Sequence, residues 1–356
     1  MPLVRREFLK IVPALALFDP KTRNTFASDR GKIKAGQIGT KHAHASGKIA
    51  AMRKFSELYD VVGVVEPDDQ RWNSVKNSAA YKGVPRVGEK ELFASSGLQL
   101  VAVETDVRDL LSTAERCIKA GKHVHLDKPA GEDLAHFSQI LDAARARKLT
   151  VQMGYMFRYN PGFQFIYQAI QKGWLGEIFE IHTVISKKVS DASRRRLAEY
   201  RGGSMFELGC HVIDAVVTAI GPPGKVTAYT RRTRENDDKL ADNQLAVFEY
   251  AKATATVRSA LVEVDGSARR QFVICGTRGT IEIMPLEPPS LRLTLEKPQH
   301  DFKAGRQMVA LPKSTGRYDG DFLDLAQVIH GTKPSDFPPE HDLAVQKAVL
   351  QASGLI

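Results

Sequence analysis

Between residues 32 and 152, short aliphatic and β-branched runs alternate with segments of helical periodicity. Nothing else in the chain limits its fold as sharply. Lys32–Ile38 reads as a strand and Ala43–Phe55 as a helix. Val61–Val65, Leu98–Val103, His123–Leu126 and Thr150–Met153 read as further strands. Thr113–Ala120 predicts a helix closed by Gly121, because glycine takes the left-handed backbone of a helix end without steric cost. Leu134, Phe137, Leu141 and Ala144 recur at helical spacing before the last of these strands. Repeated βαβ units of this size predict a doubly wound parallel sheet with helices on its faces.

Beyond residue 175 the rhythm changes. Glu177–Val189, Val226–Arg232, Gln244–Tyr250, Thr254–Val264, Gln271–Cys275, Thr280–Met284 and Leu291–Leu295 read as strands separated by Gly, Asp or Pro turns. One strong helix interrupts them, from about Ser204 to Ile220, stopped by Gly221-Pro222-Pro223. The tail is helical again over Asp321–His330 and Leu343–Ala352. The expected organisation is an α/β domain of Rossmann type over 31–152, then an α+β domain over 153–356. The second should carry a large, mostly antiparallel open sheet. No internal repeat is visible.

The chain's 356 residues leave room for about two domains. A composition 43% hydrophobic and 26% charged can bury a sizeable core without disulfide staples. Cys117, Cys210 and Cys275 are odd in number and form no CxxC or zinc spacing, so they read as small buried hydrophobes. The net charge of +10 comes from scattered residues with no nucleic-acid signature, and suits anionic substrates or a phosphate-rich cofactor. No apolar run of 18 residues occurs, so no membrane span is expected.

At the N-terminus, Arg5-Arg6-Glu7-Phe8-Leu9-Lys10 resembles the twin-arginine export signal. Ile11–Phe18 would be its apolar region and Thr25-Phe26-Ala27 a small-residue cleavage site. Val4 in place of Ser or Thr, the shortness of the apolar run and Pro13 depart from the pattern. Residues 1–30 are thus expected to be a signal and linker that sends the protein to the periplasm. The alternative is a basic amphipathic arm on a cytoplasmic protein.

The loop after the first strand, "IGTKHAHASGK", stands where a dinucleotide fold places its phosphate turn. Gly39 occupies the first glycine position, Lys41 the second, and Ala43 or His44 the third. The strand before it and the helix after it supply the context that the missing glycines do not. Glu66 closes the second strand 27 residues beyond Gly39, where a carboxylate binds ribose hydroxyls and repels a 2′-phosphate. Gly39, Thr40, Lys41, His42 and Glu66 are therefore candidate cofactor residues, with NAD favoured over NADP. Lys41 can give the pyrophosphate a charge-assisted hydrogen bond. The other reading is a solvated loop lysine and a surface glutamate. His42 and His44 read as loop or substrate-facing histidines rather than metal ligands, because a catalytic zinc needs about three protein ligands and the sequence shows no partner cluster.

"AGKHVHLDKPAG" places Asp127-Lys128-Pro129 at the C-terminal edge of a short strand, where open α/β sheets bind ligands. Lys128 can bind a substrate hydroxyl and stabilise its oxygen as the proton leaves; a surface lysine is the plainer alternative. In "GGSMFELGCHVID", Glu207, His211 and Asp214 fall on one face of a helix. His211 is a candidate general base, Glu207 can orient a hydroxyl, and Asp214 can fix the imidazole tautomer. A core histidine among structural carboxylates is the alternative.

With "VQMGYMFRYNP" and "KGWLGEI", these motifs make residues 32–356 similar to the glucose-fructose oxidoreductase / inositol dehydrogenase / rhizopine catabolism (Gfo/Idh/MocA) family. The resemblance implies a Rossmann domain holding a nicotinamide cofactor, and a sheet domain that often mediates homo-oligomers such as dimers or tetramers. It also implies a sugar, polyol or cyclitol substrate. Lys128 matches the family's motif lysine, Pro129 the proline that shapes the nicotinamide pocket, and His211 the catalytic histidine. Thr105 falls near the cofactor and Arg158, in "MFRYNP", near the substrate. Glu207 stands where many members carry aspartate, Lys41 where most carry glycine, and Asp109 where a histidine is common.

The resulting expectation is hydride transfer between NAD and a secondary alcohol, with Lys128, His211 and Glu207 catalytic. Export of an already folded protein would let the cofactor stay tightly bound. A glycoside-cleaving enzyme that oxidises its sugar transiently is the alternative, and a non-catalytic sugar- or nucleotide-binding protein is a third class.

Overall fold

The computed structural model describes residues 31–234, 238–313 and 315–356, so the N-terminal arginine motif lies outside the described residues. These residues group into two compact units: one of 31–156 with 315–343, and one of 157–313 with 344–356. The segment that begins at Thr315 thus counts with the first sheet, although it follows the second sheet in sequence.

The first unit is built from the alternating segments. Its elements are β1 (Ile33–Ile38), α1 (Ala45–Lys54), β2 (Tyr59–Val65), α2 (Asp69–Val75), α3 (Glu89–Ala94), β3 (Leu98–Val103), α4 (Val107–Lys119), β4 (His123–Leu126), α5 (Leu134–Ala146) and β5 (Val151–Met153). The helices α2 and α3 are too short to show a period in sequence; Asp68 caps the first by accepting the Arg71 N–H at 2.9 Å. Helix α4 starts well before the expected Thr113, because Val107, Leu110 and Leu111 already face the core. All strand pairs are parallel, in the order β2-β1-β3-β4-β5. The order reverses between β1 and β3, the switch point at which such sheets open a crevice.

Register decides what lines that crevice. Val65, Ile38, Val103, Leu126 and Met153 pair in a row across the sheet. The residues that follow them, Glu66, Gly39, Glu104, Asp127 and Gly154, therefore leave the strands at one edge. Five short stretches far apart in the chain become neighbours for this reason.

The second unit begins with α6 (Pro161–Gln171), whose N-cap Asn160 accepts the Gly162 N–H at 2.9 Å and whose first residue is proline. There follow β6 (Ile178–Ser186), α7 (Asp191–Leu197), a π-helical turn at Met205–Gly209, and α8 (Cys210–Ile220). Then come β7 (Lys225–Arg231), β8 (Asn243–Glu249), β9 (Thr254–Ala260), β10 (Gln271–Gly276), β11 (Gly279–Leu286), β12 (Pro289–Leu295) and β13 (Gly305–Val309). The sheet runs β13-β12-β11-β10-β6-β9-β8-β7, antiparallel except where β6 meets β9. Strand β13 is half exposed and polar at its edge, which hid it from the alternation pattern. On β12 the residues Leu291, Leu293 and Leu295 alternate inward as a one-sided sheet requires.

Candidate active site

The turn after β1 is shaped for close backbone approach. Gly39 has φ +88°, and a Cβ there would stand 2.7 Å from both Glu104 O and Thr105 N. Gly39→Ala should therefore both strain the turn, at a cost of about 1–3 kcal/mol, and push this loop off β3. The expected outcome is a lower unfolding midpoint together with weakened nucleotide binding in a titration.

Glu66 is almost fully buried and its carboxylate is held in place by neighbours. The Thr40 N–H and Oγ1 donate to Oε2 at 3.0 and 2.7 Å, and the Asp68 N–H donates to Oε1 at 3.1 Å. A carboxylate has about four acceptor positions, so an oriented Glu66 can still accept hydroxyl donors. In front of it lies a cleft of about 630 Å³, lined in part by Gly39, Lys41, Glu66, Arg86, Thr105 and Asp109. That volume falls within the range of small-molecule sites.

Thr40, His42, Lys128 and Pro129 do not line this cleft. Thr40 is buried behind Glu66, and Thr105 Oγ1 donates to the Asp106 carbonyl at 3.1 Å. Lys41 reaches over the cleft, with Nζ 3.6 Å from Asp68 and 4.0 Å from Asp106. Two arginines were missed in sequence: Arg71 Nε donates to Thr40 Oγ1 at 3.0 Å, and Arg86 Nε to the Glu66 carbonyl at 2.8 Å. Nothing in their spacing marked them, since they arrive on α2 and on the loop before α3.

Behind the loop lies a buried polar cluster. His42 Nδ1 stands 2.8 Å from Asp127 Oδ2, and His44 Nδ1 stands 3.2 Å from Oδ1. Glu104, fully buried, approaches His42 Nδ1 at 3.8 Å and His125 Nδ1 at 4.0 Å. Lys48 Nζ sits 3.4 Å from His125 Nε2 and donates to Asp321 at 2.8 Å. A Cβ on Gly154 would fall 3.1 Å from Asp127 Oδ1 and 3.2 Å from Lys48 Nζ, so the "MG" that ends β5 leaves room for these groups.

Burial and neighbouring charge sort the protons in this cluster. Burial lowers His44 to about 4 against the pull of Asp127, leaving a neutral imidazole at neutral pH. Burial, then Asp127, push Glu104 well above the usual carboxylate range. Burial would raise Asp127 too, but His42 and His44 outweigh it and hold Asp127 well below that range. The sequence reading set the two histidines aside as metal ligands for want of a partner. The sheet register brings Asp127, at the end of β4, beside both histidines.

Lys128 follows Asp127, is almost fully buried, and precedes a cis peptide to Pro129. Its backbone N–H donates to Asp127 Oδ1 at 2.7 Å, which ties the lysine turn to the histidine cluster.

The second unit carries the other candidate residues. Glu207 falls in the π-helical turn rather than in a continuous α-helix, so its geometry toward His211 is not the regular i, i+4 relation. Lys187 Nζ lies 3.4 Å from Glu207 Oε2, a partner the sequence reading did not find. His211, almost fully buried, packs edge-on to Phe157 with ring centroids 5.8 Å apart.

Asp214 has a partner from outside its own helix. It holds Arg158, whose Nη2 donates to Oδ1 at 2.7 Å while Nε donates at 3.1 and 3.2 Å to Oδ1 and Oδ2. Both side chains are wholly buried. Asp214 and Arg158 thus meet as a buried ion pair, a partnership that spacing along the Glu207–Asp214 helix did not indicate. A buried carboxylate needs a full counter-charge, and arginine's planar fork supplies one with matched hydrogen bonds.

A parallel sheet with a glycine turn, an acid-capped second strand and a cleft at its switch point defines a dinucleotide-binding unit. Joined to the open-sheet unit, it places the chain in the Gfo/Idh/MocA family of oxidoreductases, to which it belongs. Residues 33–155 match the "Oxidoreductase family, NAD-binding Rossmann fold", and residues 163–282 the "GFO/IDH/MocA C-terminal domain". The chain is 25% identical to inositol 2-dehydrogenase 1 of Saccharopolyspora erythraea, over 71% of this chain and 73% of that one. It is 28% identical to the oxidoreductase YhhX of Escherichia coli, over 53% of this chain and about half (54%) of that protein's length. The solved aldose-aldose oxidoreductase of Caulobacter crescentus shares the fold, with a TM-score of 0.74 at 19% identity, covering 91% of this chain and 98% of that one. Among the described residues no helix is long and apolar enough to cross a membrane.

The residues at the cleft fit the nicotinamide dinucleotide that this family binds. Gly39 keeps the turn free of a side chain, and Glu66 presents an oriented carboxylate beside it.

Proposed function

We propose that this chain transfers hydride between NAD and a secondary alcohol of a sugar, polyol or cyclitol. The observation that carries the reading is Lys128: a buried ammonium on the turn leaving β4, at the sheet edge that also bears Gly39 and Glu66. Excluded from bulk water, that charge is worth more to a developing alkoxide than it would be on the surface. His211 is assigned the substrate's hydroxyl proton, and Glu207, steadied by Lys187, a second substrate hydroxyl. When bound, the nicotinamide supplies the hydride acceptor.

NAD is proposed over NADP because Glu66 opposes a 2′-phosphate. Glu66→Ala should weaken NAD binding by about tenfold, the loss of roughly one charge-assisted hydrogen bond, and narrow the gap to NADP. Calorimetric titration of both cofactors reads this directly.

Mass spectrometry of small molecules released from the purified protein tests the cofactor and shows whether it is tightly held. A screen of sugars and polyols, followed by reduced-nicotinamide absorbance, then tests the reaction. A protein that releases and binds neither dinucleotide would overturn the proposal.

The export-like motif Arg5–Lys10 favours a second reading, in which the protein reaches the periplasm with its cofactor retained and cleaves a glycoside after transient oxidation. Cleavage without net reduction of added NAD would distinguish it. A homodimer or tetramer is proposed from the family resemblance, with light scattering as its test.

A further inference from the structure

We propose that His42, His44 and Asp127, backed by Glu104, bind one divalent transition-metal ion of the zinc, cobalt or iron(II) class. This goes beyond the dehydrogenase reading and does not depend on it. The three residues each present a ligand atom, all within 4.8 Å of one another. Tetrahedral zinc with bonds of about 2.0–2.1 Å keeps its ligand atoms about 3.3 Å apart. The distances of 2.8 Å and 3.2 Å from the imidazoles to Asp127, and of 3.8 Å from His42 to Glu104, bracket that value.

Ordinary hydrogen bonding leaves the cluster incomplete. His42 Nδ1 already accepts the His44 backbone N–H at 3.3 Å, yet stands 2.8 Å from Asp127 Oδ2, so two acceptor atoms face each other there. Two atoms close together without donor alignment stand as two ligands of one ion do. The fully buried Glu104 receives no hydrogen bond from a nitrogen donor and lies against Asp127. The buried Lys48 ammonium is given to Asp321 at 2.8 Å.

Donor chemistry selects the metal class. Two imidazoles favour zinc, cobalt or iron over magnesium and calcium, which prefer all-oxygen shells. Entry is open, because the His42 and His44 side chains keep 9% and 13% of their surface exposed while the two carboxylates are sealed.

The test strips the full chain with a chelator, reloads it with Co²⁺ or Zn²⁺, desalts it, and measures metal content by mass spectrometry and the Co²⁺ visible spectrum. One equivalent of metal and a ligand-field spectrum are expected for the unsubstituted chain. The double variant His42→Ala/His44→Ala should lose affinity by more than the roughly 10–100-fold cost of removing outer partners. Both histidines lie on a loop, so circular dichroism should show an unchanged fold. Absence of bound metal in the unsubstituted chain, or equal binding by the double variant, would overturn the site. Neither readout uses turnover, so failure of the proposed reaction would leave this result standing.

Discussion

Lys128→Ala is expected to lower kcat by about 10²–10³-fold, the cost of removing one preorganised donor from a developing oxyanion, on whichever polyol or sugar the unsubstituted enzyme turns over. The same variant should keep its circular dichroism and its affinity for the dinucleotide. The tie between this turn and Asp127 runs through the Lys128 backbone N–H, which alanine retains. The side chain itself is almost fully buried, so its loss removes charge from a sheltered site rather than from the surface. Steady-state rates and nucleotide titration on the same preparation separate the two effects. Undiminished kcat would remove Lys128 from the mechanism, and a joint loss of turnover and cofactor binding would make it a cofactor residue instead.

Lys48→Met should be the most destabilising substitution in the first unit, by about 3–5 kcal/mol, the usual cost of leaving a buried charge without its partner. Lys48 and Asp321 are both buried, bonded at 2.8 Å, and Lys48 Nζ also lies 4.2 Å above the Tyr318 ring. The pH dependence has a definite sign. Burial would raise the Asp321 carboxyl, but Lys48 and then His125 outweigh it, so its folded pKa lies below the usual value. Its stabilising share is therefore full above the ordinary carboxylate range and lost as pH falls through the folded value. Burial likewise works against the Lys48 ammonium, but Asp321, Asp127 and Glu104 raise it, so that share persists until strongly alkaline pH. In Lys48→Met the carboxylate is buried without its partner, which reverses the sign for Asp321. The variant's deficit in unfolding midpoint should shrink on acidification while the unsubstituted protein loses stability. A deficit that stays constant with pH would show that the pair carries little of the fold.

Much of the architecture was legible because it is local. Leu98–Val103 and His123–Leu126 were read with their observed bounds, since short, largely buried runs between turns carry their own signal. The glycine at 39, the acid at 66 and the Lys128 turn were located by their places at strand ends. The short helices α2 and α3 and the polar edge strand β13 were not found, because fewer than about two turns, or one exposed face, carry too little period to read.

Pairings between distant residues were the part sequence could not supply. His44 and Asp127 are 83 residues apart, Lys48 and Asp321 273 apart, and Arg158 and Asp214 56 apart. Neither the nearness of Asp127 to His42 and His44 nor that of Arg158 to Asp214 could be read from spacing along the chain. Spacing within one helix proposes neighbours on that helix; it cannot weigh a guanidinium arriving from another element.

The sequence by itself determined the alternation of strands and helices and the identity of the residues at the strand ends, while the return of 315–343 to the first unit was not legible in it. Which of those residues meet was decided only by the parallel register that aligns Ile38, Val65, Val103 and Leu126, and by burial. Burial strips water from charged groups, and each must then take its partner from whatever element the register has brought within reach.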